Sequence, residues 1–346
     1  MAEYIDYICS LTPLGEYFLG GEKTFEWENG KGNNIRRGKS PYFIRSQIIP
    51  GQATVLGALR YLVLKKNGML NRKPDETVNL IGEKGFNISN PDDNRSYGKI
   101  ESLGPVYISD GKNSYFAVPL NHKSGNERYE PFNMTGPVFS SLGEKTYLPS
   151  DYVAKQGTAE GFLRAEDLYI ANNDEIFRTS VRTRTNTSQA EKAMFKKEYV
   201  ILNAGLRFKF SVKAEKDSLP KKETVYIGQE KSAFLFEAAE GKPELPPINA
   251  AQKVPENEVS VYYLVSDAFL QNPEEYCVFW CAEEEQIRTI ANNRWSNAVR
   301  SELKKLYRRG SVFYVDKGKA QAFEEMAEKS AMRKTGYNCC IRLGGK

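Results

Sequence analysis

Apolar residues along the chain recur with two periods, and each predicts a different kind of element. Residues 4–11 alternate, placing Ile5, Tyr7, Cys9 and Leu11 on one side in the manner of a half-buried strand. After Pro50 and Gly51 the period changes. In GQATVLGALRYLVLKKNG, Val55, Leu56, Leu59, Leu62 and Val63 keep helical spacing, and Gly68 stands where a C-terminal cap belongs. Arg60 lies about 100° from the centre of that apolar stripe, so it can flank the core and reach a groove. Residues 106–120, VYISDGKNSYFAVPL, predict a hairpin turning at Asp110 and Gly111. Residues 198–213 alternate again, with Leu206, Phe208, Phe210 and Val212 facing one way and Arg207, Lys209 and Lys213 the other. Such a strand suits a core on one side and a phosphate backbone on the other. Further strands are expected at 259–265, 276–280 and in GSVFYVD, with a last helix in AQAFEEMAEKSAMRK.

The segments between these elements are polar. LGGEKTF reads as a Gly-rich turn, and ENGKGNNIRRGK (28–39) as a loop. Residues 121–150 predict an insertion with little regular structure, and ELPPINAAQKVPEN an exposed connection. Strand, helix, strand, strand, helix, strand, twice over, describes an α+β fold of two ferredoxin-like (RRM-like) domains with loop and β-hairpin insertions. The expected division is residues 1–218, with insertions at about 120–195, and residues 219–346.

Charge changes this picture more than composition does. The chain of 346 residues carries a formal net charge of +5, with 40% hydrophobic and 27% charged residues, which fits a soluble globular protein. Residues 178–213 hold nine basic residues against two acids, a local +7, so the rest of the chain sums to −2. Positive charge is therefore concentrated in one stretch, the footprint of a polyanion-binding surface. Its core, FRTSVRTRTNTSQAEKAMFKKEYVIL, interleaves Arg178, Arg182 and Arg184 with hydroxyl side chains. Charge runs are also commonly plain solvated loops, and composition alone leaves both readings open. No apolar run approaches the length of a membrane span, and the N-terminus has acids where a signal peptide needs a basic region, so a cytoplasmic protein with no membrane partner is expected. Five cysteines without paired spacing suit a reducing compartment and small buried hydrophobes better than a zinc site.

Candidate chemistry is sparse. His122 is the single histidine, so any mechanism using imidazole must use it. The acid clusters Asp92-Asp93 and Glu283 to Glu285 read as solvated loop and helix-start charges. GNNIRRGKS superficially matches a phosphate-binding loop, but five residues separate its glycines instead of four and Pro41 follows where a helix should open. Arg36, Arg37 and Lys39 can still meet phosphate as a basic loop. Binding rather than bond-making survives: guanidinium forks for phosphates, hydroxyls for ribose, and abundant aromatics for base stacking.

Three segments carry a resemblance. LTPLGEYFLGGEKTF with IIPGQATVLGALRYLVLK resembles the RAMP-superfamily proteins of type III CRISPR effector complexes, in which a Gly-rich turn leads to a helix bearing L-G-x-L-R, here Leu56, Gly57, Leu59 and Arg60. VYIGQEKSAFLF is similar to the family's IGGE(R/K) strand, with Gln229 replacing the second glycine. RRGSVFYVD and GYNCCIRLGG are similar to its G-S-V-Y-F strand and closing G-Y-N. Length and motif order are nearest to the Cmr-type subunit of type III-B complexes that caps the guide RNA. The resemblance implies a non-catalytic subunit that grips the crRNA 5′ handle, wedges a β-hairpin thumb into the guide and target duplex, and docks a large polymerase-like subunit and a backbone subunit. On this reading the RNA-binding candidates are Gly20, Gly21, Arg36, Arg37, Lys39, Arg45, Arg60, Arg178, Arg182, Arg184, Thr185, Lys192 and Lys196, with no metal and no cofactor. Two rivals remain open: an endoribonuclease that matures guide RNA with His122 as general base, and an adaptor whose basic patch meets an acidic protein.

Overall fold

The computed structural model describes the chain except residues 1, 26–41, 83–95, 140–144, 153–158, 187–192, 229, 243–244, 246–247, 249, 255–257, 288–289, 292–298, 301, 330 and 345–346. It is a mixed α/β protein in which antiparallel sheets dominate and helices are few.

The alternation at the N-terminus becomes the strand Tyr4–Pro13, in the middle of a nine-stranded sheet. It pairs antiparallel with Arg207–Glu215 on one side, in the register Tyr7↔Val212, Cys9↔Phe210, Leu11↔Phe208, and all six side chains are buried. On its other side it pairs with Ser232–Glu240, which forms a hairpin with Lys222–Ile227. The helix Gln52–Lys66 lays Val55, Leu59, Leu62 and Val63 into the same core. It ends as its sequence requires. Gly68 takes φ +66°, its N–H donates to Lys65 O at 3.1 Å, and Met69 N–H reaches back to Leu64 O at 2.9 Å. The hairpin at Asp110 also forms: its carboxylate accepts from the N–H groups of Lys112 and Asn113 at 2.7 and 2.6 Å.

Three expectations are corrected. Residues 198–213 are two strands, Ala193–Leu202 and Arg207–Glu215, separated by a turn in which Gly205 takes φ +86°. Alternation continued across the turn and concealed it. Residues 121–150 are not irregular: they hold the hairpin Met134–Phe139/Lys145–Pro149 and bury Asn121, His122, Tyr129, Phe132 and Tyr147. Tyr129 and Phe132 pack from irregular backbone, which leaves no period, and Tyr147 from a five-residue strand too short to show one. Glu284 and Glu285 start the strand Glu284–Ile287, paired with Lys304–Tyr307, rather than a helix; Asp92-Asp93 lies outside the described residues.

The last sheet runs Cys277–Cys281, Val312–Asp316, Val259–Leu264, Cys340–Leu343, with the helix Ala320–Lys329 crossing between its third and fourth strands in sequence. That is the strand order expected of a ferredoxin-like unit, although a 3-10 turn, Pro273–Glu275, replaces the first helix. In the nine-stranded sheet the order departs, because the strand preceding the Lys222–Ile227/Ser232–Glu240 hairpin also flanks the first strand. That hairpin follows residue 218, so the sheet draws on both sides of the expected boundary.

The two main sheets share an apolar cluster, in which Tyr107, Phe116 and Leu163 of the first pack with Val261, Tyr263 and Tyr314 of the last, and motif residues add polar contacts. Gln52, at the start of the long helix, donates to Gly336 O at 2.6 Å and Gly104 O at 3.1 Å. Gly336 has φ +82°, and a Cβ there would fall 2.6 Å from Gly104 O, so the glycine of G-Y-N is required by this contact. The asparagine, Asn338, is buried and ties both backbone groups of Phe269. Nearby, Asn121 donates to Tyr314 Oη at 2.8 Å and accepts from Tyr129 Oη at 2.8 Å. Among the described residues Gln52 Oε1 has no hydrogen-bond partner, but the other buried polar groups of these contacts are satisfied, and with the shared apolar cluster they orient the two sheets.

Candidate nucleic-acid interface

The basic stretch forms a long antiparallel hairpin, Phe177–Asn186/Ala193–Leu202. A second pair, Gly20–Phe25/Tyr42–Ser46, joins it through a parallel contact in which Lys196 stands beside Phe43 and Lys197 beside Ile44. The result is a separate four-stranded sheet. Side chains alternate across it, so its basic residues are divided between two faces.

One face turns toward the body. Arg178, Ser180 and Arg182 lie on it, opposite Ile201, Tyr199 and Lys197. Lys197 is buried, ion-paired with Glu230, and its Nζ lies 4.8 Å from the centre of the Phe18 ring. Arg182 is ion-paired with Glu16 and stacks over Tyr199 at 5.1 Å. Ser180 also donates to Glu16, at 3.4 Å. Two backbone hydrogen bonds between Tyr17 and Val200, at 2.8 and 2.9 Å, fix the hairpin base to this shelf. Arg178 and Ile201, nearer the base, are exposed.

The other face is open along the outer part of the hairpin; nearer the base Val200, opposite Thr179, is buried in the main core. Thr179, Val181 and Thr183 are exposed along the first strand. Lys196 and Glu198 are half-buried on the second, and Phe43 and Arg45 stand on the third, with the Arg45 guanidinium 5.7 Å from the Phe43 ring centre. Cation, hydroxyl and aromatic groups therefore share one surface, which is the equipment for gripping a single-stranded nucleic acid.

The candidate residues are thus brought together only in part. Arg45 and Lys196 lie on the open face, and Arg182 is held on the inner one. Arg184 and Thr185 occupy strand positions opposite Phe195 and Met194. Gly20 begins the second pair and stands opposite Ser46, and Gly21 follows it. An added Cβ at Gly20 would meet only the Phe18 ring, at 4.0 Å, so the chain's own packing leaves space there. Close approach occurs instead at Gly228, where φ is +77° and a Cβ would fall 2.7 Å from Phe18 O. Arg60 does not face the groove: its Nε donates to Ile81 O at 3.0 Å, closing the C-terminus of the helix Pro74–Ile81, and burial lowers its pKa. Arg36, Arg37, Lys39 and Lys192 lie outside the described residues, as does Gln229. Phe43 and the tethering acids Glu16 and Glu230 escaped the sequence reading. The one local signal was the pattern Phe43, Arg45 in a short strand.

His122 is buried, and both ring nitrogens are engaged. Nδ1 accepts from the Glu130 N–H at 3.0 Å, and Nε2 lies 3.2 Å from Asn126 O. Burial lowers its pKa, against the opposing pull of Asn126 and Glu130. All five cysteines are free thiols, and among the described residues no group of three or more His, Cys, Asp or Glu is placed to hold a metal. Among the same residues no helix is long and apolar enough to cross a membrane. A cavity of about 530 Å³ opens beside Arg45, lined also by Glu160, Asp267, Glu283, Arg308 and Arg309. Burial would raise the Asp267 pKa, but Arg309 and Arg308 hold it low, so the floor is neutralised internally. Glu284 and Glu285 line it as well, so carboxylates outnumber guanidiniums and the lining is a poor seat for phosphate.

The fold is similar to a chain in a cryo-EM structure of the Type III-B Cmr-beta bound to cognate target RNA, with a TM-score of 0.50 and 13% identity over 97% of this chain and 96% of that one. A chain in a structure of Type III-B Cmr-beta bound to cognate target RNA and AMPPnP matches over 97% and 98%, with a TM-score of 0.47 and 12% identity. No curated protein matches this sequence. The class is a RAMP-like subunit of the Cmr kind. The chain belongs to the Cas_Cmr3 family of CRISPR-associated proteins, whose sequence profile matches residues 9–343.

Proposed function

We propose that this chain is a non-catalytic RNA-binding subunit of a type III CRISPR effector complex. It pairs two ferredoxin-like units, holds the 5′ handle of the crRNA beside the guide and target duplex, and docks the large polymerase-like subunit and backbone subunits. The observation that carries the reading is the open face of the four-stranded sheet, where Lys196, Phe43, Arg45 and Thr183 converge. Lys196 and Arg45 would meet phosphates, and the hydroxyls of Thr179 and Thr183 ribose or phosphate oxygens, fixing the RNA path without reading most bases. Family membership supports RNA as the polyanion. The buried His122, with both nitrogens committed, supports a scaffold over a nuclease.

The test is titration of the purified chain with synthetic handle RNA across a salt series, with gel analysis of the RNA afterwards. Binding that weakens steeply with salt and leaves the RNA intact is expected. Metal-free cleavage abolished by His122→Ala would establish the endoribonuclease instead, and absence of binding at low salt would leave the adaptor reading.

A further inference from the structure

The middle strands of the nine-stranded sheet bury one face under the helix Gln52–Lys66 and leave the other half-exposed. Arg207–Glu215 sends Phe208 and Phe210 into the core and turns Arg207 and Lys209 to that other face. Register lines up its neighbours. Lys209 stands beside Ser10, Ser10 beside Glu237, and Glu237 beside Lys222 on the edge strand. Two residues along, Thr12 is followed by Leu235 and Thr224, and two further, Ala233 is followed by Tyr226. Tyr226 is 62% exposed, and Leu14, whose N–H donates to Ala233 O at 3.0 Å, is 57% exposed. Leu14, Leu235 and Tyr226 belong to none of the four hydrophobic clusters. The face has limits. Tyr107, on the far side of Lys209, is buried in the cluster shared with the last sheet, and an added Cβ at Gly241 would fall 3.1 Å from Ile8 Cγ1. An apolar corner thus adjoins a basic one.

We infer that this face docks another protein subunit, whose contact surface is apolar at its centre and carries carboxylates where it meets Arg207 and Lys209. This deepens the reading of the chain as a subunit of a multi-protein complex and rests on it. The charge argument is local. Lys222 is ion-paired with Glu237 at 3.0 Å and Lys213 with Glu101 at 3.2 Å, but among the described residues Arg207 and Lys209 have no ion pair. Half-buried cations without carboxylates of their own are complemented by carboxylates on the occupant. Nucleic acid is the weaker fit, although it too is anionic. Glu237 stands in the middle of the face. Leu14, Ala233 and Leu235 offer a phosphate backbone neither charge nor side-chain hydrogen bonds, and they gain only from meeting apolar surface. A second copy of the chain would bring the same unpaired cations to the contact. Strands about 4.8 Å apart, with about 6.8 Å between successive residues on one face, give the patch an area of about 400 Å². That is the size of a contact centre within the roughly 800 Å² that a stable subunit interface covers on each side.

The test titrates the full chain, fluorescently labelled, into the other subunits of its effector complex purified together with crRNA. Two double variants are compared with the wild type: Arg207→Glu with Lys209→Glu, and Leu14→Ser with Tyr226→Ser. Each is expected to weaken entry into the complex about tenfold, while handle RNA binding by the isolated chain keeps its affinity and salt slope. Normal entry of either folded variant overturns the inference. A lower RNA salt slope in the charge variant also overturns it and assigns the face to nucleic acid. Self-association of the wild-type chain that these substitutions abolish overturns it in favour of a second copy. Failure of the wild-type chain to enter the complex overturns the subunit reading instead. If a variant does not fold, acetylation of the wild-type chain replaces it. Lys209 protected in the complex and not by handle RNA alone supports the docking face, and any other labelling pattern overturns it.

Discussion

The two faces of the four-stranded sheet carry the same residue types to opposite ends. On the inner face, Lys197 and Arg182 are consumed by Glu230 and Glu16 and by the rings of Phe18 and Tyr199. On the outer face, Lys196 and Arg45 stand among hydroxyls, Glu198 and a half-exposed ring. Lys196 and Lys197 are adjacent in sequence, yet they fall on opposite faces of the sheet. Charge in a sequence is thus only potential binding charge. What decides its use is which side of the pleat it falls on and which groups stand there.

This contrast predicts a graded series. The largest effect belongs to the buried pair. Glu230→Gln removes the Glu230 carboxylate from the Lys197 ammonium, 7% exposed, and should lower unfolding free energy by about 3 kcal/mol in urea titration. A loss under about 1 kcal/mol would show that the pair is no anchor. Next comes the outer face. Arg45→Ala with Lys196→Ala should leave stability within about 0.5 kcal/mol and lower the salt slope of RNA binding by roughly 1.4, two phosphate contacts on a single strand. An unchanged slope would move the RNA elsewhere.

A third test concerns pH. Burial lowers the folded pKa of His122 below its unfolded value of about 6.5. The unfolded chain then binds more protons, so the contribution is fully present above that value and is lost as pH falls toward the folded pKa. The urea midpoint should fall between pH 7.5 and 5.5, and a His122→Gln variant should lose the part of this dependence due to imidazole. A variant whose midpoint follows pH as the wild type does would contradict the assignment. The smallest effect is expected at Arg182, whose side chain is 52% exposed: Arg182→Ala should cost about 0.5 kcal/mol and change the salt slope by less than either outer-face residue. A larger change in slope from Arg182 would reverse the contrast between the faces.

Legibility followed locality. The long helix and its Gly68 cap, the Asp110 turn, the first strand and the last sheet were readable because a single segment sets period, cap and turn chemistry. The turn at residues 203–206 was hidden because two strands with the same alternation abut across it. Residues 121–150 looked irregular because their buried aromatics answer to the last sheet, more than 100 residues away, as Asn121 answers to Tyr314. Arg60 had the right helical angle for a groove, but the end of another helix took it first.

By itself, the sequence determined that positive charge is concentrated in one stretch, that imidazole chemistry could come only from His122, and that the motif glycines stand in order along the chain. Tertiary structure decided the rest. It divided the basic stretch between two faces and set Glu16 and Glu230 against one of them. It sealed His122 inside and brought Phe43 beside Lys196, residues separated by most of the first half of the chain. The physical reason is that alternation assigns relative sides within one strand. Only pairing between distant strands determines which side meets the core, which meets a counter-charge, and which is left for a ligand.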